Sequence, residues 1–301
     1  MPFRAGTSNV TWFIWLALLA GLVALCAVCL TTYGARHWAR GVQLLTNGLE
    51  AARIDTRTSA VLPAHFRSHE LAGLPTVVQR YFRAVLREGQ PIVSAVTIEM
   101  TGNLNMSAKD EQWKSFTSRQ RVVTRRPGFL WDARVSMRPG VSVHVLDSYI
   151  AGIGLMHASM LGLFTVARVN GEGVIANGEF MRFFAEAMWY PTALLPSQGV
   201  RWDPVDAKSA NATIVDGPQR ATLLFRFNDA ALIDSVSADA RGSMVGDAVV
   251  MMPWECRVSR YAPCDGMTVP SIGEAAWIRP EGRLPYFHGA LTSLTYAFAS
   301  Q

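Results

Sequence analysis

The chain has 301 residues, of which 50% are hydrophobic and 17% are charged, and its formal net charge is +5. Such a chain is too apolar to be disordered and is long enough to bury a sizeable core. The most basic run, residues 118–128, precedes a patterned strand and has no recognition helix or aromatic platform beside it. A solvated strand face is therefore favoured for this run, and a nucleic-acid partner is not predicted.

An uncharged apolar segment lies near the N-terminus, from Trp12 to Leu30. As a helix it is about 28 Å long, which matches the apolar thickness of a bilayer. A cleaved signal peptide is the alternative, but its apolar region is usually shorter, and no small-residue cleavage site follows cleanly here. We predict an N-terminal tail at 1–10, a transmembrane helix at 11–32, a juxtamembrane helical stalk at 33–70 and a strand-rich globular domain at 71–301.

The side of the membrane on which the domain lies is not decided by the flanking charges. Arg4 precedes the apolar segment and Arg36 and Arg40 follow it, so the positive-inside rule favours neither orientation clearly.

The cysteines do not show whether the domain lies in an oxidising or a reducing compartment. Cys256 and Cys264 lie in a strand that enters a turn, where the cross-strand partners of Cys256 fall beyond Cys264, so a disulfide between them is not favoured.

The region after the stalk predicts one amphipathic helix and then many strands. Residues 74–89 have Pro75 in the first turn, apolar residues at helical spacing and Gly89 as a stop. From residue 91 the apolar period changes to two, and Phe129 and Trp131 share one face of a strand. Such runs predict an α+β fold with a large curved antiparallel sheet of about eight to eleven strands, a half-barrel or open barrel, and a few covering helices.

One carboxylate is out of place in this pattern. In "VSVHVLDSY", Asp147 shares the face of Val141, Val143 and Val145. Burying an unpaired carboxylate costs several kcal/mol, so Asp147 needs a partner. Either the strand ends or bulges there and the side chain accepts bonds from backbone N–H groups, or the carboxylate faces a pocket.

Residues 178–190 are expected to form a helix with two stripes. The apolar stripe holds Phe180, Phe183, Phe184, Ala187 and Met188, and the second stripe holds Glu179, Arg182, Glu186 and Trp189. A helix of this kind can close a sheet and present polar groups to a cavity. The alternative is a surface ladder of ion pairs, each worth only a few tenths of a kcal/mol.

Several motifs together resemble an uncharacterised family of bacterial proteins with a domain of unknown function, often placed behind an N-terminal membrane helix. They are "LPTVVQRYFR", "RPGFLWDAR", "VLDSYIAGIGLM", "GEFMRFFAEAMWYPTALLP" followed by "GVRW", "DAKSANATI" and "GEAAW". The resemblance covers roughly residues 70–300, and the family has no established activity. The strand pattern also looks like the curved half-barrels of lipoprotein carriers and related lipid-binding proteins.

The resemblance implies one internal polar site. The positions that match the family's motifs are Asp147, Arg182, Glu186, Trp189, Pro191, Trp202, Asp206 and Trp277. They place Asp147 together with the stripe of Arg182 and Glu186. The likeness to envelope lipid carriers also implies an N-terminus inside the cell and a domain outside the cytoplasmic (inner) membrane.

Familiar catalytic motifs are not found in the sequence: it has no G-x-S-x-G elbow, no H-E-x-x-H and no phosphate-binding loop. His65 and His69 are one helical turn apart but have no evident third ligand. No metal and no cofactor is predicted.

We therefore predict a membrane-anchored binding protein for an apolar or amphipathic, lipid-like ligand. Its predicted ligand-binding residues are Asp147, Arg182, Glu186, Trp189, Trp131, Phe129 and Trp277. The aromatic residues would bury an acyl-like portion, and the charged residues would orient a polar head. Two alternatives stay open: an enzyme, hydrolase-like or other, that uses Asp147 and Glu186 as acid and base, and a structural envelope protein.

Overall fold

The computed structural model describes residues 7–54, 62–107, 111–245 and 248–299. Within these ranges the helices are α1 (Thr7–Ile54), α2 (Thr76–Val85) and α3 (Val174–Ala185). The strands are β1 (Val93–Asn105), β2 (Trp113–Val123), β3 (Gly128–Arg138), β4 (Val141–Ile150), β5 (Ile153–Met160), β6 (Phe164–Gly171), β7 (Arg201–Asp206), β8 (Ser209–Asp216), β9 (Gln219–Phe227), β10 (Ile233–Val245), β11 (Ala248–Cys264), β12 (Met267–Arg279) and β13 (Gly282–Phe298). Short 3-10 turns lie at Ser68–Leu71, Glu186–Trp189, Pro191–Leu194 and Pro196–Gln198.

All thirteen described strands belong to one sheet, in the order β6-β5-β4-β3-β2-β1-β13-β12-β11-β10-β9-β8-β7. Every neighbouring pair is antiparallel, and the sheet is not closed because β6 and β7 stay at its edges. The predicted α+β fold, with an apolar N-terminal helix and an open antiparallel half-barrel, is confirmed. The sheet has more strands than the predicted eight to eleven, because edge strands such as β6 are exposed and lack a clear apolar alternation.

The concave face of the sheet is covered by α3, which contacts β3–β6 near one edge and β9 and β10 near the other. The predicted apolar stripe of this helix is fully buried: Phe180, Phe183 and Phe184 are at most 1% exposed. Burying each such side chain contributes about 1.5–3 kcal/mol. In a closed barrel the edge strands β6 and β7 would pair with each other. Here α3 instead spans the gap between the two halves of the sheet.

The predicted helix at 74–89 is shorter in the structure, where α2 covers Thr76–Val85. Pro75 stands just before the helix in an extended conformation, with ψ 138°. Leu86 ends the helix because it is again extended, with ψ 151°, and its side chain is only 6% exposed in the core. The helix packs against β8 and β12.

The helix α1 has an apolar N-terminal half and a second half that packs on the domain. In the described chain it is the one helix long and apolar enough to cross a membrane, and none of its most apolar window, with mean hydropathy 2.7, is buried. Further along, Trp38 and Leu49 pack on the outer face of β2–β4. The Trp38 Nε1 donates to Asp132 Oδ1 at 2.9 Å. Arg4, in the predicted tail, lies outside the described residues.

A close backbone contact fixes α1 against the turn between β5 and β6. At Gly162, whose φ is +71°, an added Cβ would lie 2.6 Å from the carbonyl oxygen of Gly34 on α1. A Cβ on Gly34 would in turn collide with the carbonyl oxygen of Leu161. Only glycine at both positions permits this approach, so the hairpin tip and the helix touch directly.

Candidate functional site

A cavity of about 320 Å³ lies between α3 and the concave face of the sheet. Most of its walls are apolar, and the apolar residues include Trp131, Val145, Met156, Val169, Val249, Trp254 and Trp277. Six charged residues among those described line it: Asp147 on β4, Glu179 and Arg182 on α3, Glu186 in the turn after α3, Arg241 on β10 and Glu274 on β12. The site therefore combines an apolar volume with a polar wall.

Arg182 is the centre of the polar wall. Its Nη1 donates to Asp147 Oδ2 at 2.6 Å, and its Nε donates to Glu186 Oε1 at 2.8 Å. Gln120 on β2 accepts from Arg182 Nη2 at 3.4 Å and donates to Glu186 Oε2 at 2.5 Å. The side chains of the three ionic residues are only 14–17% exposed. The structure thus brings the predicted charged residues together beneath the sheet, and their role in binding stays a prediction.

The guanidinium of Arg182 is also held between two aromatic rings. Its central carbon lies 4.8 Å from the centroid of Trp131 and 5.1 Å from that of Phe129. Phe129 is fully buried behind the arginine and does not line the cavity. Burial opposes the charge, but Glu186 and Asp147 raise the pKa of Arg182 above its usual range. Because all three of its nitrogens already donate to protein groups and its guanidinium packs on two aromatic rings, Arg182 organises the carboxylates.

Glu179 lies on the predicted polar stripe but is not among the predicted ligand-binding residues, and the structure places it in the cavity wall. Burial, reinforced by the nearby charge of Asp147, raises its pKa from 4.5 to about 8. Burial also raises the pKa of Asp147, although Arg182 opposes that rise. Glu179 Oε2 and Asp147 Oδ1 are buried atoms without a hydrogen-bond partner. These two oxygens are therefore ready to bind a group with N–H or O–H donors.

Arg241 on β10 forms a second cluster on the other side of the cavity. Its Nε donates to the carbonyl oxygen of Gly178 at 3.0 Å, and its guanidinium lies 4.9 Å from the ring of Trp254 and 5.7 Å from that of Trp277. The indole Nε1 of Trp254 donates to the Tyr286 hydroxyl at 2.9 Å. Of the predicted residues, Trp277 belongs to this cluster. Arg241 escaped prediction because a register shift between Ala238 and Arg241 breaks the alternation of β10.

The remaining motif positions lie at or beyond the edge of the site. Trp189 reaches the cavity wall but is 3% exposed, and its Nε1 donates to the carbonyl oxygen of Pro270 at 2.9 Å. Trp202 packs on Phe82 and Phe225 in the core. Pro191 begins a 3-10 turn, and Asp206 accepts a bond from the backbone N–H of Lys208 in an exposed turn. No group of three or more His, Cys, Asp or Glu within the described ranges is arranged to hold a metal ion.

The comparisons with known proteins fit this architecture. Residues 72–296 match a family of unknown function, DUF6920. The chain belongs to this family. The resemblance to an uncharacterised family with a domain of unknown function is therefore confirmed. No match to the chain is found among curated proteins.

Two solved structures are similar to this chain in overall fold. One is a LolA superfamily protein from Nitrosomonas europaea, with 9% identity, a TM-score of 0.36, and 75% of this chain and 94% of that chain covered. The other is a beta-barrel-like protein of a domain of unknown function, DUF1849, from Brucella abortus, with 8% identity, a TM-score of 0.29, and 68% and 99% covered. No ligand or activity of this chain follows from them.

The contact between Arg182 and Asp147 predicts non-additive effects on stability. Arg182→Ala should cost roughly 3–5 kcal/mol, because it leaves buried carboxylates without their cation. Adding Asp147→Asn should recover part of this loss, because it removes one stranded charge. The measurement is denaturant unfolding of the full chain, and Arg201→Ala, at the exposed Arg201–Asp203 pair, is a control that should cost less than about 1 kcal/mol. Strict additivity of Arg182→Ala and Asp147→Asn would contradict the coupling.

The raised pKa of Glu179 predicts a pH dependence of stability. Between pH 4.5 and about 8 the unfolded chain releases this proton while the folded chain keeps it. The contribution is therefore complete below pH 4.5 and is lost as the pH rises through about 8, with a slope of up to about 1.4 kcal/mol per pH unit. Glu179→Gln should flatten the curve of unfolding free energy against pH. The control is Glu172→Gln at an exposed site, and a curve that stays the same in Glu179→Gln would show that Glu179 titrates normally.

Proposed function

We propose that this protein is a membrane-anchored binding protein for a small amphipathic, lipid-like ligand. The observation that supports it best is the cavity of about 320 Å³, largely apolar, with two unpartnered carboxyl oxygens on its polar wall. This volume is at the lower end of the range for ligand pockets, which favours a small ligand over a large multi-chain lipid. The apolar part of the ligand would lie against Trp131, Val145 and Trp254.

The polar end of the ligand is proposed to carry N–H or O–H donors, such as a hydroxyl group or an amine. The charge of Arg182 is already neutralised by Asp147 and Glu186, which makes the site unfavourable for an anionic head. An anion would also meet Asp147, whereas a donor would pair with the free oxygens of Asp147 and Glu179. An amine that binds as a cation would lower the pKa of Glu179 and displace its proton.

An enzyme is the second candidate, and the pKa of Glu179 is the observation that favours it. A carboxyl group whose pKa is raised to about 8, in a cavity beside a second buried carboxyl group, is suited to general acid–base work. Recovery of the bound species distinguishes the two functions, because a binding protein returns its ligand unchanged and an enzyme returns a product. The open cavity argues against the third candidate, a structural envelope protein with a filled core.

The apolar half of α1 is proposed to be a retained single-pass anchor rather than a cleaved signal. The helix runs without a break from the apolar segment into the part that packs on the sheet. Gly34 and Trp38, just beyond Leu30, already contact the domain. For a peptidase to cleave between Leu30 and Trp38, this part of α1 would first have to unwind and detach from the sheet.

The domain is further proposed to lie on the periplasmic or extracytoplasmic side of the cytoplasmic (inner) membrane, as the sequence resemblance implies. Its test uses two reporters fused to the C-terminus, one active only in the cytoplasm and one active only outside it. We expect activity from the second reporter alone. Activity confined to the cytoplasmic reporter would place the domain on the other side.

The ligand should be detectable as lipid that depends on the free volume of the cavity. Val145→Phe fills the space beside Asp147, so it should reduce bound lipid severalfold in native mass spectrometry and lipid extraction of the purified full chain. Val215→Phe makes the same change at a valine that is 58% exposed on β8, so it controls for lipid that surrounds α1. Equal lipid content in both variants would show that the cavity does not hold the ligand.

A further inference from the structure

The hairpin of β5 and β6 has exposed apolar side chains near its tip. Met160 is 41% exposed, and Phe164 and Val166 are 61% and 60% exposed. Single exposed apolar residues are common, but a group of them on one hairpin indicates a surface that contacts a partner or a membrane. β6 is an edge strand, so this surface has no neighbouring strand within the described sheet.

The position of the hairpin tip relative to α1 decides what this surface meets. The tip touches α1 at Gly34, where the backbones of Gly34 and Gly162 approach closely. Gly34 follows Leu30, the last residue of the apolar segment, by four residues, which is about 6 Å along a helix. Trp38, one turn further, packs against His157 of β5, with ring centroids 5.1 Å apart and the rings tilted by 39°. The hairpin tip therefore lies at the level where α1 leaves the apolar layer.

The charges around this point suit lipid headgroups. Arg36 and Arg40 on α1 and Arg168 on β6 are exposed. Burial lowers the pKa of His157, and Arg168 of β6 and His37 of α1 lower it further, so both of these residues lie near the imidazole ring. Basic side chains beside an apolar surface are attracted to anionic headgroups. The apolar side chains at the tip thus suit the apolar boundary of a bilayer, and the nearby arginines suit its anionic headgroups.

The same hairpin also forms a wall of the cavity. Met156 of β5 and Val169 of β6 line it. Val174 and Val249 line it as well, and they are 47% and 41% exposed, so they mark where the cavity opens to the outside. Apolar side chains of the hairpin therefore extend from its tip to the wall of the cavity.

We propose that the β5–β6 hairpin is a membrane-contacting surface, in which Met160, Phe164 and Val166 enter the headgroup region of the bilayer beside α1. The inference rests on the proposed function in one respect, because it takes α1 to be a membrane anchor and the cavity to hold a lipid-like ligand. The inference adds to the proposed function the surface that contacts the membrane and the path of the ligand. The ligand would move between the bilayer and the cavity along Met156 and Val169 without crossing open water.

The test uses the full chain in vesicles of phosphatidylethanolamine and phosphatidylglycerol. Cys26, Cys29 and Cys264 are replaced by alanine, and an environment-sensitive fluorophore is attached through Val166→Cys. The matched control is Val205→Cys, at a valine that is 50% exposed on β7, the opposite edge strand. Spin-labelled lipid should quench the label at 166 several times more strongly than the label at 205, and emission at 166 should be shifted to the blue.

A second measurement follows ligand uptake from labelled vesicles. Phe164→Asp together with Val166→Asp should slow uptake severalfold, whereas Val205→Asp should leave it unchanged, and all three changes are at exposed positions. A label at 166 that is as exposed to water as the label at 205 overturns the inference, even if the cavity holds lipid. A label at 166 that lies in lipid supports the membrane-contacting surface. If Val145→Phe shows no loss of bound lipid, that second result contradicts only the proposed function and leaves the membrane contact standing.

Discussion

The buried guanidinium of Arg182 is the constraint on which the rest of the domain depends. It joins α3 to β4 through Asp147 and to β2 through Gln120, while Phe129 and Trp131 of β3 cover its faces. A cation in this position is stable only if its carboxylates are present, and the carboxylates are stable only with the cation. The interaction therefore fixes where α3 lies across the concave face, and this in turn fixes the space left beside the helix.

The cavity stays open because an arginine packed on aromatic rings lies on each of its two sides. Arg241 lies over Trp254 and Trp277 as Arg182 lies over Trp131 and Phe129, and each guanidinium also bonds to α3 or its neighbours. Aromatic rings held against charged groups cannot move inward to fill the gap without breaking those bonds. The open edges of the sheet leave room for α3 and for the cavity beside it.

The parts of this arrangement that the sequence predicts are those encoded by local periodicity. The spacing of Phe180, Phe183 and Phe184 predicts a buried stripe, and the alternation around Trp131 predicts an inner face, because both patterns repeat within one element. Arg241 is not predictable in this way, since a bulge resets the alternation of its strand. The raised pKa of Glu179 also escapes sequence reasoning, because it arises from burial and from Asp147, which lies on a different element of the chain.

The strand β3 connects α1 with the site, because adjacent residues point to opposite faces of a sheet. Asp132 accepts the bond from Trp38 of α1 on the outer face, and Trp131 packs on Arg182 on the inner face. Burial raises the pKa of Asp132, and the bond from Trp38 offsets part of that rise. Two neighbouring residues of one strand therefore link the seat of α1 on the outer face to the aromatic wall of the cavity on the inner face.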